Sequence, residues 1–431
     1  MKNRKWLVSI TATLVLAMLI SACGAGEKTK EPETTTGEEK VTLQYYTWTD
    51  EAEYMKKVVD AFNAQHNDIQ VNINTISNAS EEYNTKMMLN LSSNSKVDVY
   101  SMNGPANLGL YTSKNQLLDL GDKIKEAGVE VGAYGPILQD ITGKLTDDKY
   151  YALPYRTSSY ALFYNKAIFD EAGLPYPTNL TWEQYAELAK KLTKGEGTNK
   201  QWGGYLADWI TIPIATLQQG HTILDDNLDS LKDWLQFLDT IYYKDESHMS
   251  YKQMKAESSD WLKEFESGDV AMMINGEWAV NMLNADVAAG KTDVKYEMAM
   301  LPQPAGAADA TSVGGLSTFM GINPGSKHQD AAFKFVAFAT GEEGGKIIAE
   351  AGVLPAYAND ITKEAFLKAS GLEGSKAYFE AKTIIEDQPI PQIDQVKSVF
   401  KEQWELFLFG EQNAEKSVNE FMKQRDKLLE K

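Results

Sequence analysis

Three of the nine tryptophans stand beside polar residues at the ends of predicted strands. Trp48 closes VTLQYYTW, Trp209 follows Asp208 in YLADWITIP, and Trp278 ends NGEW directly after the apolar run VAMMI. An indole beside carboxylates, amides or a guanidinium suits a sugar ring, whose apolar face stacks on the aromatic while its hydroxyl rim hydrogen-bonds. Core packing is the competing use of any tryptophan. Trp182 and Trp234 lie on helical apolar faces and are assigned to the core.

Patterns for covalent chemistry are missing or incomplete. ADVAAGKT (285–292) approaches a phosphate loop, but Ala285 replaces the first glycine and no apolar strand leads into it. GGLSTF (314–319) approaches a nucleophile elbow, but Phe319 occupies the second glycine position. HExxH, CxxC and EF-hand patterns do not occur. His66, His221, His248 and His328 share no metal-ligand spacing, and the one cysteine excludes an internal disulfide and a cysteine zinc site. A carboxylate pair for glycoside hydrolysis stays open, since 61 acidic residues offer many pairs.

Those acids face 42 basic residues, a formal net charge of −19. An acidic surface disfavours nucleic acid, which needs a basic face, and suits a soluble monomer. The 431 residues are 43% hydrophobic and 24% charged, a globular balance that suggests two or three domains.

The first 22 residues read as an export signal. Lys2, Arg4 and Lys5 precede an apolar stretch over 6–20 that is short for a membrane-spanning helix. Ile20-Ser21-Ala22-Cys23 resembles the bacterial lipoprotein lipobox, which implies lipidation of Cys23 and anchoring on the extracytoplasmic face of the cell membrane. An ordinary signal peptide with an incidental cysteine is the other reading. Residues 23–40, rich in Gly, Thr, Lys and Glu, read as a tether.

Beyond it, strands and helices alternate. VTLQYYTW (41–48) is a predicted strand, followed by a helix capped by Asp50 and Glu53 with Ala52, Met55, Val58, Val59 and Phe62 inward. Strands at 69–73 and 97–100 with a helix at 81–91 complete a βαβαβ order, which predicts a parallel sheet covered on both faces. A second unit starts near Leu153, with strands at 159–164 and 270–274. Its helix is capped by Thr181 and Gln184, with Trp182, Tyr185, Leu188, Ala189 and Leu192 inward. Pro302, Pro304 and Gly306 mark a loop, read as a crossing between domains. An amphipathic helix is predicted at 329–340, and residues 361–431 read as helical with a break at Pro389 and Pro391.

The order and spacing of VTLQYYTWTDEAEYMKKVVDAFNAQHNDIQVNI (41–73), VDVYSMNG (97–104), LPYRTSSYALFYNKAIFDEAGLPYPTNLTWEQYAELAKKL (153–192), FESGDVAMMINGEWAV (265–280), MAMLPQPAG (298–306), VGGLSTFMGINPGSKHQDAAFKFVAFATGEEG (313–344) and GVLPAYAND (352–360) resemble the extracellular solute-binding proteins of bacterial ABC importers. The likeness is to their sugar-binding group, which includes the maltose-binding proteins, and it covers 41–431. It implies an α/β, two-lobed periplasmic-binding-protein fold of type II-like architecture. Lobe I would comprise 41–152 plus 308–346 and lobe II 153–307 plus 347–431, with the sugar in the cleft. The chain would cross near 150–156 and 305–312 and return near 345–352. The resemblance also implies a di- or oligosaccharide ligand, delivery to membrane permease subunits by hinge closure, no catalysis and no cofactor.

Site positions follow from the same resemblance. Trp278 matches a stacking tryptophan and Trp209 an aromatic against the sugar. Asn103 falls where lobe I presents a polar ligand. Thr157 and Ser158 stand at a hinge position where maltose binders carry a carboxylate. Arg156 either forks onto sugar hydroxyls or a sugar carboxylate, or forms a hinge salt bridge. Gly314 and Gly315 either let backbone approach the ligand or make a plain turn. Glu277 either reaches a hydroxyl or is a solvated loop acid, and Asn78 and Glu51 are further loop candidates. An exported carbohydrate-active enzyme and a binder of another solute, such as a peptide, polyamine or metal, are the alternatives.

Overall fold

A computed structural model describes residues 40–77, 82–93, 96–390 and 392–430. The expected export signal, Cys23, the tether up to residue 39, Asn78 and Pro391 lie outside the described residues. Among the described residues, nine strands run in chain order as β1 (Val41–Trp48), β2 (Ile69–Ile76), β3 (Val99–Asn103), β4 (Ala152–Asn165), β5 (Tyr205–Leu206), β6 (Met272–Gly276), β7 (Tyr296–Ala299), β8 (Thr311–Ile322) and β9 (Lys382–Ile385). They form one continuous network, β2-β1-β3-β8-β4-β6-β5, with β7 on β4 and β9 on β8.

Two apolar cores flank this network. The first gathers Leu43, Tyr45 and Val71 of the parallel strands with Phe62 and Val336 of the covering helices Ala52–Gln65 and Gln329–Thr340. The expected parallel sheet is present in β1, β2 and β3, but β8 joins β3 antiparallel, so the sheet is mixed. The second core gathers Leu162, Ile274, Trp182, Trp234 and Trp404. It includes the helix Trp182–Leu192, whose Thr181–Gln184 capping box forms as expected.

The long strands β4 and β8 serve both cores. Tyr155 packs in the first and Tyr160 in the second, while on β8 Val313 packs in the second and Leu316 in the first. A third segment joins them, with Thr157 N donating to Leu354 O (3.1 Å) and Ala356 N to Tyr155 O (3.0 Å). Several expected boundaries shift accordingly. Leu153 belongs with the first core, Val313 with the second, and residues 348–356 alternate between them. The proline-rich loop after Leu301 does not cross between cores, because β8 itself does. The expected strand at 159–164 is the second half of the 14-residue β4. The C-terminal region is not wholly helical, since β9 precedes the helix Ile393–Leu408.

Asp50 does not cap the first helix. Thr49–Glu51 forms a 3-10 turn, and the helix begins after Glu51 without a side-chain cap. The Glu51 carboxylate is instead engaged at the hinge.

Candidate functional site

The hinge is built where β4 and β8 cross side by side. Ser158 pairs with Gly315 and Ser159 with Gly314, beside register shifts on both sides of Arg156. Gly314 has φ +155°, and a Cβ there would sit 2.1 Å from the carbonyl oxygen of Ser158. It therefore lets two hinge strands touch. The Thr157 hydroxyl donates to Gly315 O at 2.9 Å and that of Ser158 to the same oxygen at 3.5 Å. These hydroxyls are engaged by the hinge backbone. Ser158, Gly314 and Gly315 face the cleft as well, whereas Thr157 is not on its wall.

Arg156 ties both sides of the hinge. Its Nε and Nη2 donate to Glu277 Oε1 at 2.9 and 2.7 Å, and its Nη1 donates to Glu51 Oε1 at 2.9 Å. Glu277 is 0% exposed and takes a further hydrogen bond on Oε2 from Ser159 N, at 3.2 Å. The Tyr155 hydroxyl donates to Glu51 Oε2 and lies 3.1 Å from Ser101 Oγ. Burial pushes the Glu277 carboxyl above its ordinary range despite the opposing pull of Arg156. Burial alone would lower the Arg156 pKa, but Glu277, Tyr54 and Glu51 together carry it well above the usual value. Of the two readings of Arg156, the hinge salt bridge is the one present. Glu277 is not a solvated acid: it is buried and engaged by the Arg156 guanidinium and the Ser159 N–H.

The indoles divide. Trp278 is half-buried, meets Tyr160 edge-on (5.8 Å, 81°) and lies 5.5 Å from Trp209, with the Arg156 guanidinium 5.8 Å over its ring. Trp209 is 41% exposed. A Cβ on Gly276 would come within 2.1 Å of the Trp278 ring, so the glycine makes room for this indole. Trp48 corrects the expectation: it is 4% exposed and stacked on Tyr83 at 4.7 Å, a core side chain of the first lobe.

Between the cores lies a cleft of about 600 Å³. The first lobe supplies Asn103, Pro105 and Asn107, the hinge supplies Ser158, Gly314 and Gly315, and the second lobe supplies Thr211 and the segment around Glu386. A recess of about 140 Å³ adjoins it, sharing Thr211, Glu386, Asp387 and Lys397, with Trp209 at its rim. Sequence reasoning missed these second-lobe groups. Glu386 is pushed up to about 8 by burial first and then by neighbouring Asp387. Lys397 pairs with Asp387 at 2.7 Å. On the helix Ile393–Leu408, Asp394, Lys397, Ser398 and Lys401 recur at one-turn spacing and face the cleft. No cluster of metal-ligating side chains occurs among the described residues.

Residues 47–346 match the family model of the bacterial extracellular solute-binding proteins. The chain belongs to this family. This solute-binding protein is 28% identical to a sugar transporter protein of Rhizobium etli solved in an open conformation, over 89% of this chain and 98% of that one, at TM-score 0.77. A Listeria monocytogenes ABC substrate-binding protein in complex with cycloalternan has the same fold at 22% identity, over 90% and 99% of the two chains, also at TM-score 0.77. Among curated relatives, an arabinooligosaccharide-binding protein of Halalkalibacterium halodurans is 25% identical over 45% of this chain and 44% of its own. The sn-glycerol-3-phosphate-binding periplasmic protein of Escherichia coli is 26% identical over 56% and 58%. The chain thus spans about half the length of the curated relatives it matches. The α/β two-lobed periplasmic-binding-protein fold agrees with the resemblance drawn from sequence.

Proposed function

We propose that this solute-binding protein captures a neutral di- or oligosaccharide outside the cytoplasmic membrane and hands it intact to the permease subunits of an ABC importer. The observation that carries the reading is a polar cleft between two cores whose adjoining recess is lined by Trp209, with Trp278 5.5 Å behind that ring and off the cavity walls. Aromatic plates take the apolar faces of sugar rings, and Asn103, Ser158 and the Asp387–Lys397 pair offer polar partners to the hydroxyls.

Charge supports a neutral ligand. The cleft wall carries Glu386, Asp387 and Asp394 against Lys397 and Lys401, and Glu386 stays protonated until about pH 8. Arg156, the obvious cation for a uronic acid or a phosphate, is held by two carboxylates. Closure of the lobes about β4, β8 and residues 354–356 would let ligand contacts from both sides favour the closed form, which the permease reads. Cys23 would carry the lipid that keeps a monomeric protein at the membrane, and the protein would bind and release without covalent chemistry.

A thermal-shift panel tests this, because a ligand that binds only the folded state raises the melting temperature. Neutral oligosaccharides should raise it, while glucuronic acid and glycerol 3-phosphate should not. A shift with the anions alone would refute a neutral ligand. New reducing ends after incubation with oligosaccharides would refute a pure binding role.

A further inference from the structure

The recess behind Trp209 joins an apolar wall to polar groups, of which Thr211, Glu386, Asp387 and Lys397 are shared with the cleft. Its depth is walled by Ile212, Leu217, Ile223, Ile393 and Phe400, each at most 9% exposed. A sugar hydroxyl turned to that apolar wall would lack a partner, at roughly 1–3 kcal/mol for each unsatisfied group. A pure hydrocarbon fails for the opposite reason. Tyr160 lines the recess, and its hydroxyl, which makes no hydrogen bond within the described residues, is open to a guest. The Glu386 carboxyl at the mouth likewise accepts and donates no side-chain hydrogen bond within the described protein. Both groups are reachable from the recess and can hydrogen-bond a guest there.

The volume limits the guest. A cavity of about 150 Å³ takes roughly six heavy atoms, the size of benzene, and this recess is about 140 Å³. An acylamino group and the ring carbon that bears it have that size. Their chemistry also fits: a methyl for the isoleucine and phenylalanine walls, a carbonyl oxygen for the Tyr160 O–H, and an N–H for an oxygen of Glu386 at the mouth.

We propose that the recess is a subsite for the N-acetyl group of an amino sugar, with Tyr160 as its hydrogen-bond donor and Ile393 and Phe400 as its apolar floor. This rests on the carbohydrate reading and narrows it to saccharides carrying N-acetylhexosamine. Tyr160 stays in place because β4 is pinned to β6 through the Tyr160–Gly276 pair and the phenol ring meets Trp278 edge-on.

Calorimetry on the full chain in detergent micelles, with N,N′-diacetylchitobiose and cellobiose as a matched pair, tests it. The acetylated disaccharide should bind at least about tenfold more tightly, as one hydrogen bond and a buried methyl imply. Tyr160→Phe should narrow that ratio to about twofold, and Ile393→Phe, which fills the recess, should narrow it similarly. Far-ultraviolet dichroism confirms that each variant is folded, and either one suffices. Equal affinities in the parent protein, or a ratio unchanged in a folded variant, would overturn the subsite while leaving the carbohydrate reading intact. Binding of neither disaccharide, nor of any other neutral saccharide, would overturn both.

Discussion

Arg156 gives two of its donors to a single oxygen of Glu277, at 2.9 and 2.7 Å, while a third reaches Glu51. One guanidinium on a hinge strand thus joins a turn of the first lobe to the loop after β6 in the second. Breaking a buried ion pair by removing one partner costs about 3–5 kcal/mol, because the remaining charge is stranded. Arg156→Met should therefore lower stability by about that much in urea unfolding. Arg156→Lys should recover only part of it, since an ammonium cannot fork. A loss below about 1 kcal/mol for the methionine variant would show that the pair is solvated and unimportant.

Trp278 should carry a large share of ligand affinity. Trp278→Ala should cost about 1–3 kcal/mol in binding, the worth of a buried aromatic stack. Gly276→Ala should weaken binding too, by driving a methyl into the same ring. Titration calorimetry with the preferred saccharide reads both, and unchanged affinity in Trp278→Ala would remove the indole from the site.

Trp48 should behave oppositely. Its ring is stacked on Tyr83 within the first core, so Trp48→Ala should cost about 3–5 kcal/mol of stability. The folded fraction should keep its saccharide affinity. A variant of normal stability and impaired binding would return Trp48 to the cleft.

Glu386 sets a pH dependence. Its folded pKa of about 8 lies above that of a carboxylate in an unfolded chain, so the folded state holds the proton more tightly. Its contribution to stability is complete below the ordinary carboxylate range and is lost as pH rises toward 8. Melting temperatures measured from pH 5 to pH 9 should fall less steeply for Glu386→Gln than for the parent. Parallel curves would show that Glu386 ionises normally. Asp387, Lys397 and Glu277 act on the same group, and all are kept in this comparison.

Cys23→Ser should abolish incorporation of labelled palmitate and move the protein from the membrane fraction to the medium. Retention in the membrane with no label lost would refute the anchor.

Local signals were legible in the sequence and distant ones were not. The Thr181–Gln184 capping box needs only four neighbouring residues, and it forms. The Asp50–Glu53 cap was equally plausible locally, yet Glu51 is turned away by Arg156 and Tyr155, about a hundred residues downstream. Trp48 sits at a strand end just as Trp278 does, and only the packing of Tyr83 distinguishes them. The Glu386 segment was hidden because β9 has four residues and pairs with β8 some seventy positions upstream. No periodicity in EDQPIPQIDQVK announces a cleft wall. Two acids after an apolar strand-like TII were its one visible trace.

The proposed role of Trp209 and Trp278 is to hold a neutral saccharide between two lobes. Titration calorimetry of neutral oligosaccharides, on the parent and on the Trp209→Ala/Trp278→Ala double variant, tests it most directly. At least one neutral saccharide should bind the parent one to one, and that binding should be lost in a double variant that remains folded. Undiminished binding to that folded double variant, or no binding of any neutral saccharide to the parent, would contradict it.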